Sequence, residues 1–183
     1  GRTMPAEPVL KNFANIVEQD AVLKYDSWDL LRDETGRLVT RWDGMTYKLH
    51  PITGEEVPDE DAKVELRSYL NPRAATWPEA EFIVGNPPFI GNKRMIEELG
   101  EGYVDALRAA YKDVPGSVDF VMYWWNKAAN QARVGKIERF GLITTNTITQ
   151  TFNRKLTQNH IAAKKKPLSI LFAVNDHPWV KSR

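Results

Sequence analysis

Apolar positions along this chain fall into two patterns. Short continuous runs bounded by turn or polar residues read as buried strands: Phe82-Ile83-Val84 before Gly85, the Phe140-Gly141-Leu142-Ile143 stretch before Thr144-Thr145-Asn146, and Ile170 to Val174. A helical spacing links Val121, Trp124, Trp125, Ala128 and Ala132, which predicts a helix over residues 118–133 with Ser117 as its N-cap and Gly135 as its C-cap. A second helical stretch opens at Asn92-Lys93-Arg94 and runs through Met95, Ile96 and Leu99. Gly100-Glu101-Gly102 interrupts it, and the period resumes through Val104, Leu107 and Ala110. Strand, loop, helix, strand is the arrangement of a parallel sheet, so the class is α/β. The strand ends at Asn86 and at Thr145-Asn146 are expected to open on one edge of that sheet. Residues 13–17 read as a further short strand, after an irregular lead-in containing Pro5 and Pro8.

Residues 25–77 break the pattern. They are polar, and the turn pairs Asp43-Gly44 and Thr53-Gly54 lie between β-type segments such as Val39-Thr40-Arg41-Trp42 and Met45-Thr46-Tyr47. The expected structure is an insertion, a small hairpin or long loop, with Trp28, Trp42 and Trp77 as packing anchors.

The 183 residues suffice for one domain, and 42% hydrophobic with 27% charged residues is the balance of a globular protein rather than a disordered chain. There are no cysteines, which excludes disulfides, a thiolate nucleophile and cysteine-held metal, and is compatible with a reducing cytoplasm. No apolar run approaches the roughly 20 residues of a membrane helix, so no membrane partner is expected. The N-terminus lacks the layout of a signal peptide. The net charge of +1 hides an asymmetry: residues 1–90 hold 10 basic and 16 acidic side chains, and residues 91–183 hold 15 and 8. A basic half is what a polyanion-facing surface requires, and equally what a solvated face looks like.

The chemistry concentrates at Asn86-Pro87-Pro88-Phe89. Neither proline has an N–H and each fixes its own φ, so the strand before them stops at a stiff tip. In open α/β sheets ligands bind at such carboxyl ends. The Asn86 amide, carbonyls with no neighbouring N–H, and the flat face of Phe89 together suit an exocyclic amine on a planar ring. Asn-Pro-Pro is also an ordinary turn, and Phe89 also reads as core.

Asn86-Pro87-Pro88-Phe89 resembles the N-P-P-[YF] motif of S-adenosylmethionine-dependent amino-methyltransferases, above all the adenine-N6 DNA methyltransferases. With the D-F-V-M-Y-W-W helix and the F-G-L-I-T-T-N strand in order, the chain looks most like the methylase portion of type IIG and IIL restriction–modification enzymes and their phage-defence relatives. The resemblance implies a partial Rossmann-like methyltransferase sheet over residues 1–183, with 25–77 inserted in it. It implies a double-stranded DNA substrate, a linked nuclease domain or subunit, and S-adenosylmethionine as cofactor. Asn86, Pro87, Pro88 and Phe89 then form the catalytic corner, where Asn86 and a proline carbonyl orient the amine and Phe89 stacks on a base swung out of the duplex. Asp20, with Ala21 beside it, matches the acid that contacts the cofactor's adenine, and Asn86 and Asp119 complete the cofactor set. As bare residues, Asp20 reads as a turn acid and Asp119 as an acid complementing a helix dipole. Lys93, Arg94, Arg154 and Lys155 are candidate phosphate contacts or, alternatively, solvated helix residues.

One departure stands out. The family's Gly-rich cofactor turn is missing, since Gly100-x-Gly102 follows an interrupted helix rather than a strand. The expectation is a fragment or degenerate relative that does not bind cofactor alone. The rival readings are an RNA or protein amino-methyltransferase, and a non-catalytic nucleic-acid-binding or assembly module.

Overall fold

The computed structural model describes residues 16–175. Its first half is one long antiparallel arm built by nesting. Strand β1 (Leu23–Lys24) pairs with β8 (Arg73–Ala74), β2 (Ser27–Leu30) with β7 (Arg67–Leu70), β3 (Thr40–Trp42) with β6 (Lys63–Glu65), and β4 (Tyr47–Leu49) with β5 (Glu56–Pro58). The chain reverses at the tip between His50 and Glu55, where the His50 N–H donates to the Glu55 carbonyl at 2.8 Å and Gly54 takes a φ of +70°, and a tighter reversal at residues 33–37 sets Arg32 opposite Leu38 between β2 and β3. Asp43-Gly44 serves a different purpose. The Asp43 carboxylate accepts the Met45 and Thr46 N–H groups, both at 2.9 Å, and the kink lies partway along the outgoing strand.

The arm is held at its base and, farther out, at β3. Arg41 donates to the Ile96 carbonyl at 3.0 Å and lies 3.7 Å from the Glu101 carboxylate. The Trp77 indole donates to the Ala21 carbonyl at 2.6 Å, and Lys127 sits 4.8 Å over its ring while donating to the Ala75 carbonyl. The Arg67 guanidinium covers Trp28 at 4.3 Å, and Trp42 meets Tyr47 edge-on at 5.3 Å. All three arm tryptophans therefore pack on neighbours.

The second half supplies the core. After β9 (Phe82–Gly85) and a single 3-10 turn come α1 (Met95–Leu99) and α2 (Glu101–Ala110), split at Gly100, whose φ is +83°. Helix α3 (Val121–Val134) buries Val121, Met122, Trp125, Ala128 and Ala129, the i, i+1, i+4, i+7, i+8 stripe of a core-facing helix. Val104 and Leu107 of α2, Val22 and Leu23 of the arm base, Met95 of α1 and Leu156 of α4 (Thr151–Ile161) are among the residues that join it in the core cluster. Gly135 caps α3 in the left-handed conformation, with its own N–H and that of Lys136 closing on the Ala132 and Gln131 carbonyls. Helix α3 begins at Val121, not at 118: residues 115–118 form a separate turn, and Ser117 makes no cap bond.

Strand β10 (Arg139–Leu142) lies parallel to β9, with Arg139 opposite Phe82 and Leu142 opposite Gly85. Both carboxyl ends thus open on the same edge. Here the sheet falls short of expectation. Among the described residues every sheet has two strands, so the α/β class stands and those residues show no Rossmann-like sheet. Residues 169–174 form no strand, and Phe172 is 83% exposed. Of residues 13–17 only Ile16 and Val17 are described, both exposed and in no strand. The apolar runs are strand-like, but a strand exists only through its neighbour, and none of the described residues pairs with them. On β9 itself Val84 is 87% exposed.

Candidate active site

The β9–β10 ladder ends where the prolines begin. The Ile143 N–H donates to the Gly85 carbonyl at 3.0 Å, and beyond it Pro87 and Pro88 have no N–H to offer. Asn86 is exposed, and no hydrogen bond among the described residues engages its amide. Pro87 is buried, Pro88 exposed, and Phe89 half exposed against a cavity of about 150 Å³. Phe89, Ile90 and Gly91 line it from the β9 side and Thr145 and Thr147 from the β10 side, together with Asp119 and Val121. The Thr145 and Thr147 hydroxyls lie 2.6 Å apart, and the Ile148 N–H closes on the Thr145 carbonyl at 3.1 Å, so that wall is an ordered turn. A wider cleft of about 340 Å³ between the arm and α2 holds none of the sequence candidates.

Asp119 joins the walls. One carboxylate oxygen accepts the Asn92 N–H at 2.9 Å and the other accepts the Asn153 amide at 2.8 Å. Its backbone N–H donates to the Asn153 side-chain oxygen at 3.0 Å, and the same Asn153 amide donates to the Thr147 carbonyl at 2.9 Å. The neighbouring Phe120 N–H reaches the Ile90 carbonyl at 2.9 Å. Asn153 itself is only 4% exposed. Sequence reading passes over it, because an asparagine between Phe152 and Arg154 in a polar helix reads as solvent-facing.

Asp20 sits at the foot of the arm. One oxygen accepts the Val22 and Leu23 N–H groups, each at 2.8 Å, and the other accepts the Tyr103 hydroxyl at 2.7 Å. Burial, reinforced by that bond to Asp20, raises the Tyr103 pKa far above its ordinary value, so the phenol keeps its proton and stays a donor. Tyr103 meets Phe120 edge-on at 6.2 Å, and Phe120 is bonded to Ile90. A chain of contacts therefore runs from Asp20 to the loop after Phe89. The Ala21 carbonyl is occupied by Trp77. Asp20 is exposed, and its Tyr103-bound oxygen retains a second lone pair, so the carboxylate suits the exocyclic amine of a cofactor's adenine.

The basic candidates divide. Lys93 and Arg94 occupy the 3-10 turn (Asn92–Arg94) directly after the loop, where Arg94 pairs with Glu98 and Lys93 has no ion pair among the described residues. Arg154 and Lys155 follow Asn153 on α4 and are exposed, with no ion pair among those residues.

Parallel strands ending beside a cavity are where α/β enzymes carry out their chemistry, and in class this is an α/β domain with its candidate site at the strand ends. Its family is that of the MmeI DNA-methyltransferase domain, whose family model matches residues 9–182, nearly the whole chain, and the chain belongs to it. Neither the curated proteins nor the solved structures compared with the chain contain a match. The domain is a DNA methyltransferase domain of the restriction–modification kind, acting on DNA. Among the described residues, no helix is long and apolar enough to cross a membrane.

Proposed function

We propose that this domain methylates adenine at N6 in double-stranded DNA, with S-adenosylmethionine as donor and a linked nuclease domain or subunit as partner. The observation that carries the reading is the Asn86 amide at the end of β9, exposed and without a partner among the described residues. It stands one residue before a buried proline and three before a ring that lines a cavity.

An adenine N6 lone pair is delocalised into its ring, so the amine is a poor nucleophile until its hydrogens are held out of plane. The Asn86 amide oxygen and the Pro87 carbonyl accept those hydrogens, and the proline lock keeps both acceptors in place before the reaction begins. Phe89 stacks on the base. The base leaves the duplex first, since N6 cannot be reached inside the stack. S-adenosylmethionine supplies an electrophilic methyl group on a sulfonium. Asp20, Ala21, Asn86 and Asp119 would hold that cofactor, and Asp119 stands at the wall of the cavity. Lys93, Arg94, Arg154 and Lys155 contact phosphates.

The test uses the full-length protein with labelled S-adenosylmethionine and duplex DNA, RNA or peptide, followed by digestion and product identification. N6-methyladenine from the DNA reaction is expected, with a loss of about a hundredfold in Asn86→Ala, the scale seen when one positioned hydrogen-bonding group is removed. Label found only in cytosine, RNA or peptide would overturn the substrate assignment. DNA binding with no transfer, unaffected by Asn86→Ala, would favour a non-catalytic module.

A further inference from the structure

We propose that Asn153 is a positioning residue for the reaction, because it clasps the two walls of the cavity at the strand ends. The proposal rests on the reading above and adds to it what sets the spacing between Phe89 and the Thr145–Thr147 turn.

Three bonds meet on one side-chain amide. The oxygen of Asn153 accepts the Asp119 N–H at 3.0 Å, and its nitrogen donates both to the Asp119 carboxylate at 2.8 Å and to the Thr147 carbonyl at 2.9 Å. The second bond passes through Asp119 to the Asn92 N–H at 2.9 Å, and so to the segment that follows Phe89. The third holds the opposite wall directly. Deleting the amide therefore frees the Thr147 wall directly and leaves Asp119, still bonded to Asn92, without its brace from α4.

The residue type follows from the chemistry. An amide brings two donors and an acceptor in one plane, which is what two acceptors and one N–H require. Aspartate would set a second carboxylate against Asp119, leucine would offer nothing, and glutamine would place the amide one methylene too far. Location matters as much. Asn153 lies in the first turn of α4, one residue before the exposed Arg154 and two before Lys155. A duplex held by those two side chains would bear on the same turn that sets the cavity's width. Burial at 4% exposure makes the clasp stiff, because each of its bonds is shielded from competing water.

The experiment compares full-length wild type with Asn153→Ala and Asn153→Asp by amide hydrogen exchange and by methyl-transfer kinetics on duplex DNA. In Asn153→Ala, peptides covering 86–99 and 143–150 exchange at least about tenfold faster while those covering 121–134 keep their protection. The kcat falls by a similar factor. In Asn153→Asp the two facing carboxylates bind a proton between them only at lowered pH. Activity and loop protection are therefore lost at pH 8 and partly return at pH 6, a profile the wild type does not share. Asn153→Gln replaces the alanine variant if that one fails to fold. Unchanged exchange at 86–99 would overturn the proposal. So would exchange that quickens equally through α3, or a loosened loop with kcat intact. Wild-type protein that transfers no methyl group to DNA would overturn the substrate reading and Asn153's part in it, while the exchange experiment alone decides whether Asn153 holds the walls.

Discussion

Gly102 and Arg67 touch backbone to backbone: a Cβ on Gly102 would stand 1.8 Å from the Arg67 carbonyl oxygen. Gly102 lies within α2, where alanine normally stabilises a helix by about 1 kcal/mol over glycine. Here the sign reverses, because the obstacle is backbone and cannot rotate away. Overpacking of this kind costs about 1–3 kcal/mol, and the shift required is large enough to part β7 from α2. Gly102→Ala is expected to lower the urea midpoint and to speed proteolysis within residues 25–77. A stabilised variant would mean that the arm does not dock here.

Much of this fold is local, and the local part was legible. Pro87-Pro88 had to end a strand, Gly100 had to break a helix, and Gly135 had to close one, because each acts through its own φ or its missing N–H. The turn pair Asp43-Gly44 was legible as a turn but not as a kink along one strand, since only pairing distinguishes the two. The apolar run at 169–174 carries strand chemistry without a strand, because pairing depends on a partner distant in sequence. Of the candidate site, the proline-stopped strand end at residues 86–89 could be read from the chain, and the bonds of Asn153 behind it could not. Asn153 becomes a buried group only because α4 folds back against Asp119, 34 residues earlier.

Phe89 separates stacking from packing. Half exposed on the cavity edge, it is not needed by the main core cluster. Phe89→Ala is expected to slow methyl transfer by roughly 10- to 100-fold, the worth of about 1–3 kcal/mol of base–aromatic stacking. Phe89→Tyr, which keeps the ring, should stay within a few-fold of wild type, and thermal unfolding of both variants should shift little. A large fall in melting temperature with Phe89→Ala would assign the ring to the core.

The basic candidates are expected to differ in salt dependence. Removing a side chain that neutralises one phosphate lowers the slope of log affinity against log salt by about 0.9. Lys93→Ala, Arg154→Ala and Lys155→Ala should each show a reduction of that size, uniform across DNA sequences. Arg94 is already paired with Glu98, so Arg94→Ala should change the slope less. Equal slopes for all four variants and wild type would remove these residues from the interface.

His160 links stability to pH. It is buried on α4, edge-on to Trp125 at 5.4 Å, with Nε2 at 2.7 Å from the Asn126 side-chain oxygen. The Asn126 nitrogen donates to Asp113 at 3.0 Å, so the Asn126 oxygen is the acceptor and Nε2 carries the proton. Nδ1 is left buried without a partner among the described residues. Burial first, and then the Arg133 charge, hold the His160 pKa below its ordinary value, with Asp113 opposing. The folded protein thus binds fewer protons at this site than the unfolded chain, whose histidine titrates near 6.5. Stability from this source is whole above about pH 6.5 and falls as pH drops below it, by up to roughly 1.4 kcal/mol per pH unit until the folded group also titrates. Melting temperature should therefore decline between pH 7 and pH 5, before the carboxylates titrate. His160→Gln keeps a donor toward Asn126 and removes the titration, so its melting temperature should be nearly flat over the same range. Parallel declines in variant and wild type would place the pH sensitivity elsewhere.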